Sequence, residues 1–252
     1  MSYQLFNEDC LQGMKRIPDG FVDCILTDLP YGITDCAFDV RIPFAPMWEQ
    51  FKRVTKRNAA IVLFSQMPFG AELIMSNRKM YRYEWIWRKP MGAGFLNAKK
   101  MPLRCHENIL VFYQQLPTYN PQMSQGKPFN KRQKKWTGNN YRSGQWQGGI
   151  NETGERYPRD EFTFKNGDNA RMEHPQQKPV DLLEYLIKTY TNEGELVLDA
   201  TMGSGSTGVA CANTGRRFIG FETEKKFYDI ACKRLSDAQA KQEQSLFKDV
   251  GA

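Results

Sequence analysis

The amino-acid sequence predicts an α/β fold built on a doubly wound, mostly parallel sheet. Two observations carry that expectation. Short strand-like runs alternate with amphipathic helical patterns along most of the chain, and a glycine loop joins one late strand to a short helix.

The first strand-like run, "VDCILTD" (Val22–Asp28), is apolar or small from Cys24 to Thr27 and then ends abruptly in an acid, as a buried strand reaching a cleft does. "FAPMWEQFKRV" (Phe44–Val54) follows with apolar residues at three- and four-residue steps, the signature of a helix with one buried face. "AAIVLFS" (Ala59–Ser65), "YEWIWRK" (Tyr83–Lys89) and "ENILVFY" (Glu107–Tyr113) read as further strands. After a long central segment, "PVDLLEYLIKTY" (Pro179–Tyr190) is an amphipathic helix led by proline. "ELVLDA" (Glu195–Ala200) and "RFIGFE" (Arg217–Glu222) are strands, "EKKFYDIACKRL" (Glu224–Leu235) is a helix, and the residues after about Lys241 read as a frayed tail.

Between about Pro117 and Met172 the periodicity fails, and Pro, Gly, Asn, Gln, Lys and Trp dominate. An irregular stretch of that length inside a compact domain is read as an inserted functional lobe. The expected organisation is 1–115 and 173–240 as two halves of one domain, 116–172 as the insert, and 241–252 as a tail.

Composition narrows the function classes. The chain has 252 residues, 40% of them hydrophobic, enough for a substantial core. Its longest apolar runs are far shorter than a membrane span, and the first ten residues lack a basic flank and an apolar stretch, so a cytoplasmic protein is expected. Six scattered cysteines give neither a zinc cage nor a disulfide framework, and only two histidines, His106 and His174, are present; no metal is expected. The net charge is +7, but Arg88 to Arg142 alone holds eleven Lys/Arg against one acid, Glu107. That local excess of ten leaves the remainder slightly acidic, the pattern of one region that meets a polyanion.

Chemistry concentrates at two places. "LVLDATMGSGSTGVACANTGRRFIGFE" is strand, glycine loop, helix and strand, with G-x-G-x-x-G at Gly203, Gly205 and Gly208 and an acid, Glu222, ending the second strand. Glycines permit close backbone approach to a ligand, and an acid at that position suits ribose hydroxyls. Alone the pattern also fits ordinary turns or a nicotinamide oxidoreductase. A dinucleotide enzyme opens with this unit, however, whereas here it begins near Glu195. With "TDLPY" at the end of an early strand, the order is that of a circularly permuted sheet.

"TDLPYG" resembles the D-P-P-Y motif of DNA amino-methyltransferases, "DATMGSGSTG" resembles their cofactor loop, and "HPQQKPVDLLEYLI" resembles the H-P-T-Q-K-P segment that precedes it. The order of the three is that of the beta group of adenine-N6 and cytosine-N4 enzymes, and "NEDCLQGMKRIPDGFVDCILTD" is similar to the group's N-terminal strand and turn. Leu29 replaces the first proline of the motif, and Ala200 the proline of the loop.

The resemblance implies S-adenosylmethionine as cofactor and double-stranded DNA as partner, and it admits a homodimer. It implies catalytic roles for Asp28, Leu29, Pro30 and Tyr31. For the cofactor it implies Asp9 and Cys10 near the adenine, Glu222 on the ribose, and Asp199, Ala200, Thr201, Gly203, Ser204, Gly205, Ser206 and Thr207 around the methionine part, with Lys178 closing the site. The Asp28 carboxylate and the Leu29 carbonyl are expected to accept N–H bonds from the target amine, and Tyr31 to stack on the flipped base. In the insert, Lys131, Arg132, Lys134, Lys135, Trp136, Tyr141, Arg142 and Trp146 combine cations with rings and are expected to contact DNA. Asp at position 28 favours adenine N6, because cytosine-N4 enzymes of the group more often carry Ser there. Cytosine N4 is the alternative, RNA a weaker one, and a DNA-binding protein that keeps the fold without catalysis a third.

Overall fold

The computed structural model describes residues 3–32, 39–130, 150–164 and 177–249, with side chains through 242. The strands are β1 (Tyr3–Phe6), β2 (Val22–Thr27), β3 (Thr55–Ser65), β4 (Tyr81–Ala93), β5 (Arg104–Phe112), β6 (Ser124–Gln125), β7 (Phe129–Asn130), β8 (Ile150–Asn151), β9 (Glu155–Arg156), β10 (Glu161–Thr163), β11 (Leu196–Asp199) and β12 (Arg217–Phe221). The helices are α1 (Cys10–Gly13), α2 (Phe44–Val54), α3 (Phe69–Ser76), α4 (Val180–Tyr190), α5 (Ser206–Asn213) and α6 (Lys225–Asp249).

Eight strands form one mixed sheet in the order β1-β12-β11-β2-β3-β5-β4-β10. Every neighbouring pair is parallel except the two that β5 makes with β3 and β4. Alternate residues along each strand point to opposite faces, and both faces are covered. Ile25, Ile61, Leu63, Leu110 and Leu198 pack with Met47, Phe51 and Val54 of α2 and Leu73 of α3. Cys24, Leu26, Val62, Val111 and Val197 pack on the other side with Leu182 and Leu186 of α4, Cys211 of α5 and Leu235 of α6. All six residues of β2 are buried, which accounts for its apolar Val22, Cys24, Ile25 and Leu26; the buried Asp23 is paired with Lys56 and the Leu196 amide. Each large side chain so buried contributes about 1.5–3 kcal/mol of transfer free energy.

The observed elements depart from the expected ones in several ways. α6 continues through Asp249, past the point where a tail was expected. β4 continues past Lys89 to Ala93, and β5 begins before Glu107 at Arg104. β10 lies in the stretch expected to be irregular and pairs in parallel with β4. The eight residues of α3 are too few to display a 3.6-residue repeat, which is why the sequence gives no clear sign of it.

The chain divides into two compact units, 1–120 with 160–252, and 121–159. In the second, narrower than the expected 116–172 insert, β6 pairs with β9 and β7 with β8, all antiparallel. The Arg156 guanidinium lies 4.5 Å over the Phe129 ring.

Candidate active site

β2 delivers Asp28 to the carboxyl edge of the sheet, and β11 delivers Asp199 beside it, because the two strands pair in parallel with Leu198 opposite Ile25. Thr27 Oγ1 donates to Asp199 Oδ1 at 2.7 Å, and Thr201 Oγ1 donates to the Asp28 carbonyl at 2.9 Å. Two threonines thereby stitch the turn at Asp28 to the glycine loop.

Asp28 is engaged at both carboxylate oxygens. Tyr31 Oη donates to Oδ1 at 2.8 Å, and Lys178 forms a close ion pair with Oδ2. Lys178 also stands 3.5 Å from Glu107 Oε2, and Lys89 pairs with Glu107 Oε1. Asp28, Lys178, Glu107 and Lys89 thus form a row of alternating charges drawn from the end of β2, the residue before the α4 leader proline, β5 and β4. Burial raises the Asp28 carboxyl above the ordinary Asp range, and Lys178 offsets only part of that. Burial alone would depress the Lys178 ammonium, but Asp28 and Glu107 outweigh it and hold it above its usual value. Burial likewise opposes ionisation of Glu107, yet Lys178 and Lys89 prevail and keep its carboxyl low. Glu107 Oε2 is buried without a hydrogen-bond donor among the described residues.

Beyond Asp28 lies a cavity of about 380 Å³. Thirteen of the sixteen expected catalytic and cofactor residues line it: Asp28, Pro30, Asp9, Cys10, Lys178, Asp199, Ala200, Thr201, Gly203, Ser204, Ser206, Thr207 and Glu222. Asp199 sits beneath the glycine loop, where Thr207 Oγ1 donates to its Oδ2 at 2.6 Å and the Thr201 amide to its Oδ1 at 3.1 Å. Burial pushes its carboxyl up to about 6 despite those donors. Glu222 is fixed by the amides of Gly203 and Glu224, at 2.9 and 2.8 Å on its two oxygens. Asp9 caps α1, accepting from the Gln12 amide at 3.1 Å. Burial pushes the Cys10 thiol up to about 12, so it is present as a neutral thiol.

Leu29, Tyr31 and Gly205 do not line the cavity. Leu29 buries its side chain in the core under the turn. The Tyr31 ring packs 5.0 Å from Phe69, and Arg41 donates to the Tyr31 carbonyl at 2.6 Å, which fixes the turn. Gly205 has φ of +78°, and a Cβ there would stand 2.8 Å from Ala231 Cβ, so its glycine serves the approach of α6. The eight residues expected to contact DNA, between Lys131 and Trp146, lie outside the described residues.

Three contributors were not anticipated. Glu107 had a sequence signal, as the one acid in the basic stretch. Arg234 of α6 donates to the carbonyl and hydroxyl of Ser204 at 2.7 and 2.8 Å, and Asn7 after β1 donates to the Glu222 carbonyl at 2.8 Å. Asn7 opens the "NEDC" segment but was not singled out in it, and Arg234 stands in no motif; each acts on a residue remote in sequence.

A family model described as DNA methylase, of the N6/N4 type, matches residues 22–233. The Type II methyltransferase M.BglII of Bacillus subtilis is 30% identical over 92% of this chain and 69% of its own length. The Type II methyltransferase M.HpaI of Haemophilus parainfluenzae is 28% identical over 93% and 74%. Among solved structures, a cytosine-N4-specific PvuII DNA methyltransferase superposes with a TM-score of 0.68 at 13% identity, covering 96% of this chain and 93% of that one. An M1.HpyAVI–SAM complex gives 0.63 at 24%, covering 92% and 98%. The acid at the tip of β2, the glycine loop after β11 and the lysine before α4 therefore meet in a chain that belongs to the DNA methylase family of N6-adenine and N4-cytosine amino-methyltransferases.

Proposed function

We propose that the protein transfers a methyl group from S-adenosylmethionine to the exocyclic N6 of an adenine flipped out of double-stranded DNA. The observation that carries this reading is Asp28, largely buried yet lining a ligand-sized cavity, with Tyr31 and Lys178 fixing its two oxygens. Its Type II relatives support a site-specific enzyme of the restriction-modification kind.

The cavity suits that cofactor. Its volume lies in the range of small-molecule sites, and its wall carries Asp9, Asp199 and Glu222 toward a ligand with a positive centre and ribose hydroxyls. Glu222, held by two amides, keeps lone pairs for the ribose, while Asp9 serves the adenine end and Asp199 with the loop the methionine end. When bound, S-adenosylmethionine supplies a methyl on a sulfonium, ready for in-line transfer without a metal.

The protein's task is to make a poor nucleophile react. The amine lone pair is delocalised into the base, and acceptors set against its N–H bonds favour the pyramidal form that attacks. The Asp28 carboxylate and the Leu29 carbonyl provide that pair, Tyr31 offers a ring at the base's face, and the proton released after transfer leaves through Asp28 or water. Lys178 holds Asp28 in one orientation.

The test is transfer of labelled methyl to unmethylated duplex DNA, followed by digestion and identification of the nucleoside. N6-methyladenine is the expected product, and Asp28→Asn is expected to lower kcat by about 10²–10³-fold while cofactor binding persists. N4-methylcytosine would replace the base assignment and keep the mechanism. No transfer, with cofactor bound, would overturn the enzyme reading in favour of a silent binder.

A further inference from the structure

We propose that the hairpin joining β4 to β5 is a wedge that enters the base stack of double-stranded DNA beside the target and holds the flipped state open. The inference rests on the DNA reading above and deepens it.

The hairpin is placed for this by strand register. β4 runs parallel to β3, so its carboxyl end lies at the same sheet edge as Asp28. The ladder sets Trp87 opposite Glu107 and Arg88 opposite His106, and Lys89 on the outgoing strand closes the charge row that ends at Asp28. β3 stops at Ser65, opposite Asn108, and β10 stops at Thr163, opposite Arg88. Past those rungs no other strand pairs with the hairpin among the described residues; Arg104 donates to Gln66 Oε1 at 2.9 Å, and one further rung, Ala93 opposite Arg104, is reached by five residues on β4 against two on β5. Residues 94–103 form the tip beyond that rung.

Its chemistry fits one partner. From Trp85 to His106 there is no acid, whereas Arg88, Lys89, Lys99, Lys100 and Arg104 are basic. At the tip, Gly94 at φ +93° turns the chain into a short 3-10 turn that presents Phe95 and Leu96. Phe95 is 65% exposed and Leu96 fully so, with Met91 and Met101 also more than half exposed. An apolar tip on a cationic stem is unsuited to water alone and complementary to a polyanion whose interior is a stack of flat apolar faces. Phe, Leu and Met are side chains that wedge between base steps, and flipping leaves such a gap beside the catalytic pocket.

The test uses the full chain and a Phe95→Ala/Leu96→Ala double variant on two duplexes of the methylated sequence. One is fully paired, and the other places the target base opposite an abasic site, where flipping costs little. The variant is expected to lose about tenfold or more in kcat/KM on the paired duplex, equivalent to at least about 1.4 kcal/mol, and to approach wild type on the abasic one. Its thermal unfolding should match wild type, since both side chains lie outside the core. Equal loss on both duplexes, or no loss on the paired one, would overturn the wedge while leaving the methyltransferase reading intact. A variant that only converts a dimer to a monomer would likewise overturn it, making the tip a contact between copies. A wild-type protein that labels neither duplex would overturn the DNA reading and the wedge with it.

Discussion

In the proposed reaction Asp28 accepts a hydrogen bond from the target amine, yet it lies in a place that disfavours its charge. Burial raises its carboxyl, and Lys178 is the largest influence in the other direction. Because the ionised form is the acceptor, activity should fall as pH drops through this raised value, above the range of an ordinary Asp. Lys178→Met removes the stabilising charge, so the acid limb of the kcat profile should move to higher pH and kcat at neutral pH should drop. A limb that stays in place would show that Lys178 does not set the Asp28 charge. Removing one member of a buried pair also costs stability, about 3–5 kcal/mol, so folding is checked by circular dichroism before the profile is measured. Asp28 and Lys178 were both legible from their motifs. That they touch was not, because 150 residues separate them and only the pairing of β2, β3 and β5 brings Glu107 between Lys178 and Lys89.

The glycine loop shows how one motif divides its labour among elements. Gly203 offers its amide to Glu222, and Ser204 lends its carbonyl and hydroxyl to Arg234 of α6. Gly205 faces away from the cavity, with its α-carbon against Ala231 and Leu235 of that helix. Gly205→Ala would meet both an unfavourable φ of +78° and an overpacked contact. The expected loss is roughly 2–4 kcal/mol of unfolding free energy, read as a lower denaturant midpoint with unchanged slope. If the midpoint holds and only cofactor affinity falls, the glycine belongs to the ligand instead. The strand, loop and helix were readable from composition. Which glycine approached ligand and which approached helix was not, because both demands select the same residue. At the other end of α4, Tyr190 accepts from Trp85 Nε1 at 2.6 Å and shares a 2.9 Å hydrogen bond with Tyr83, tying the helix to β4 through buried polar groups.

Across the whole molecule, placing acids at a buried ligand site makes stability depend on pH. Asp199 has its carboxyl raised by burial to about 6 in the folded protein, so between about pH 4, its unfolded value, and 6 the folded state binds more protons than the unfolded one. Stability from this group is therefore fully present below about pH 4 and is lost as pH rises through 6, by on the order of 3 kcal/mol. Chemical denaturation of wild type and Asp199→Asn across pH 4–7 should show the wild type falling relative to the variant over that window. A constant difference would mean that the Asp199 carboxyl titrates alike in both states. No helix among the described residues is long and apolar enough to cross a membrane, and the sheet is covered by helices on both faces.

The sequence by itself determined the pieces and their order. A short apolar run is a local property, and such runs placed β2, β3, β11 and β12 within a few residues. "TDLPYG", "QQKP" and "GSGSTG" are local as well, and their order along the chain pointed to the family. Only the tertiary structure decided which side chains meet. The row from Asp28 through Lys178 and Glu107 to Lys89 depends on strand order and register, which are choices among distant segments that no local pattern encodes. The same holds for the β4–β5 hairpin, whose strands and basic charge were legible in the sequence but whose reach past the last rungs of β3 and β10 was not. Local periodicity fixes an element, whereas a site is made by the non-local pairing of elements.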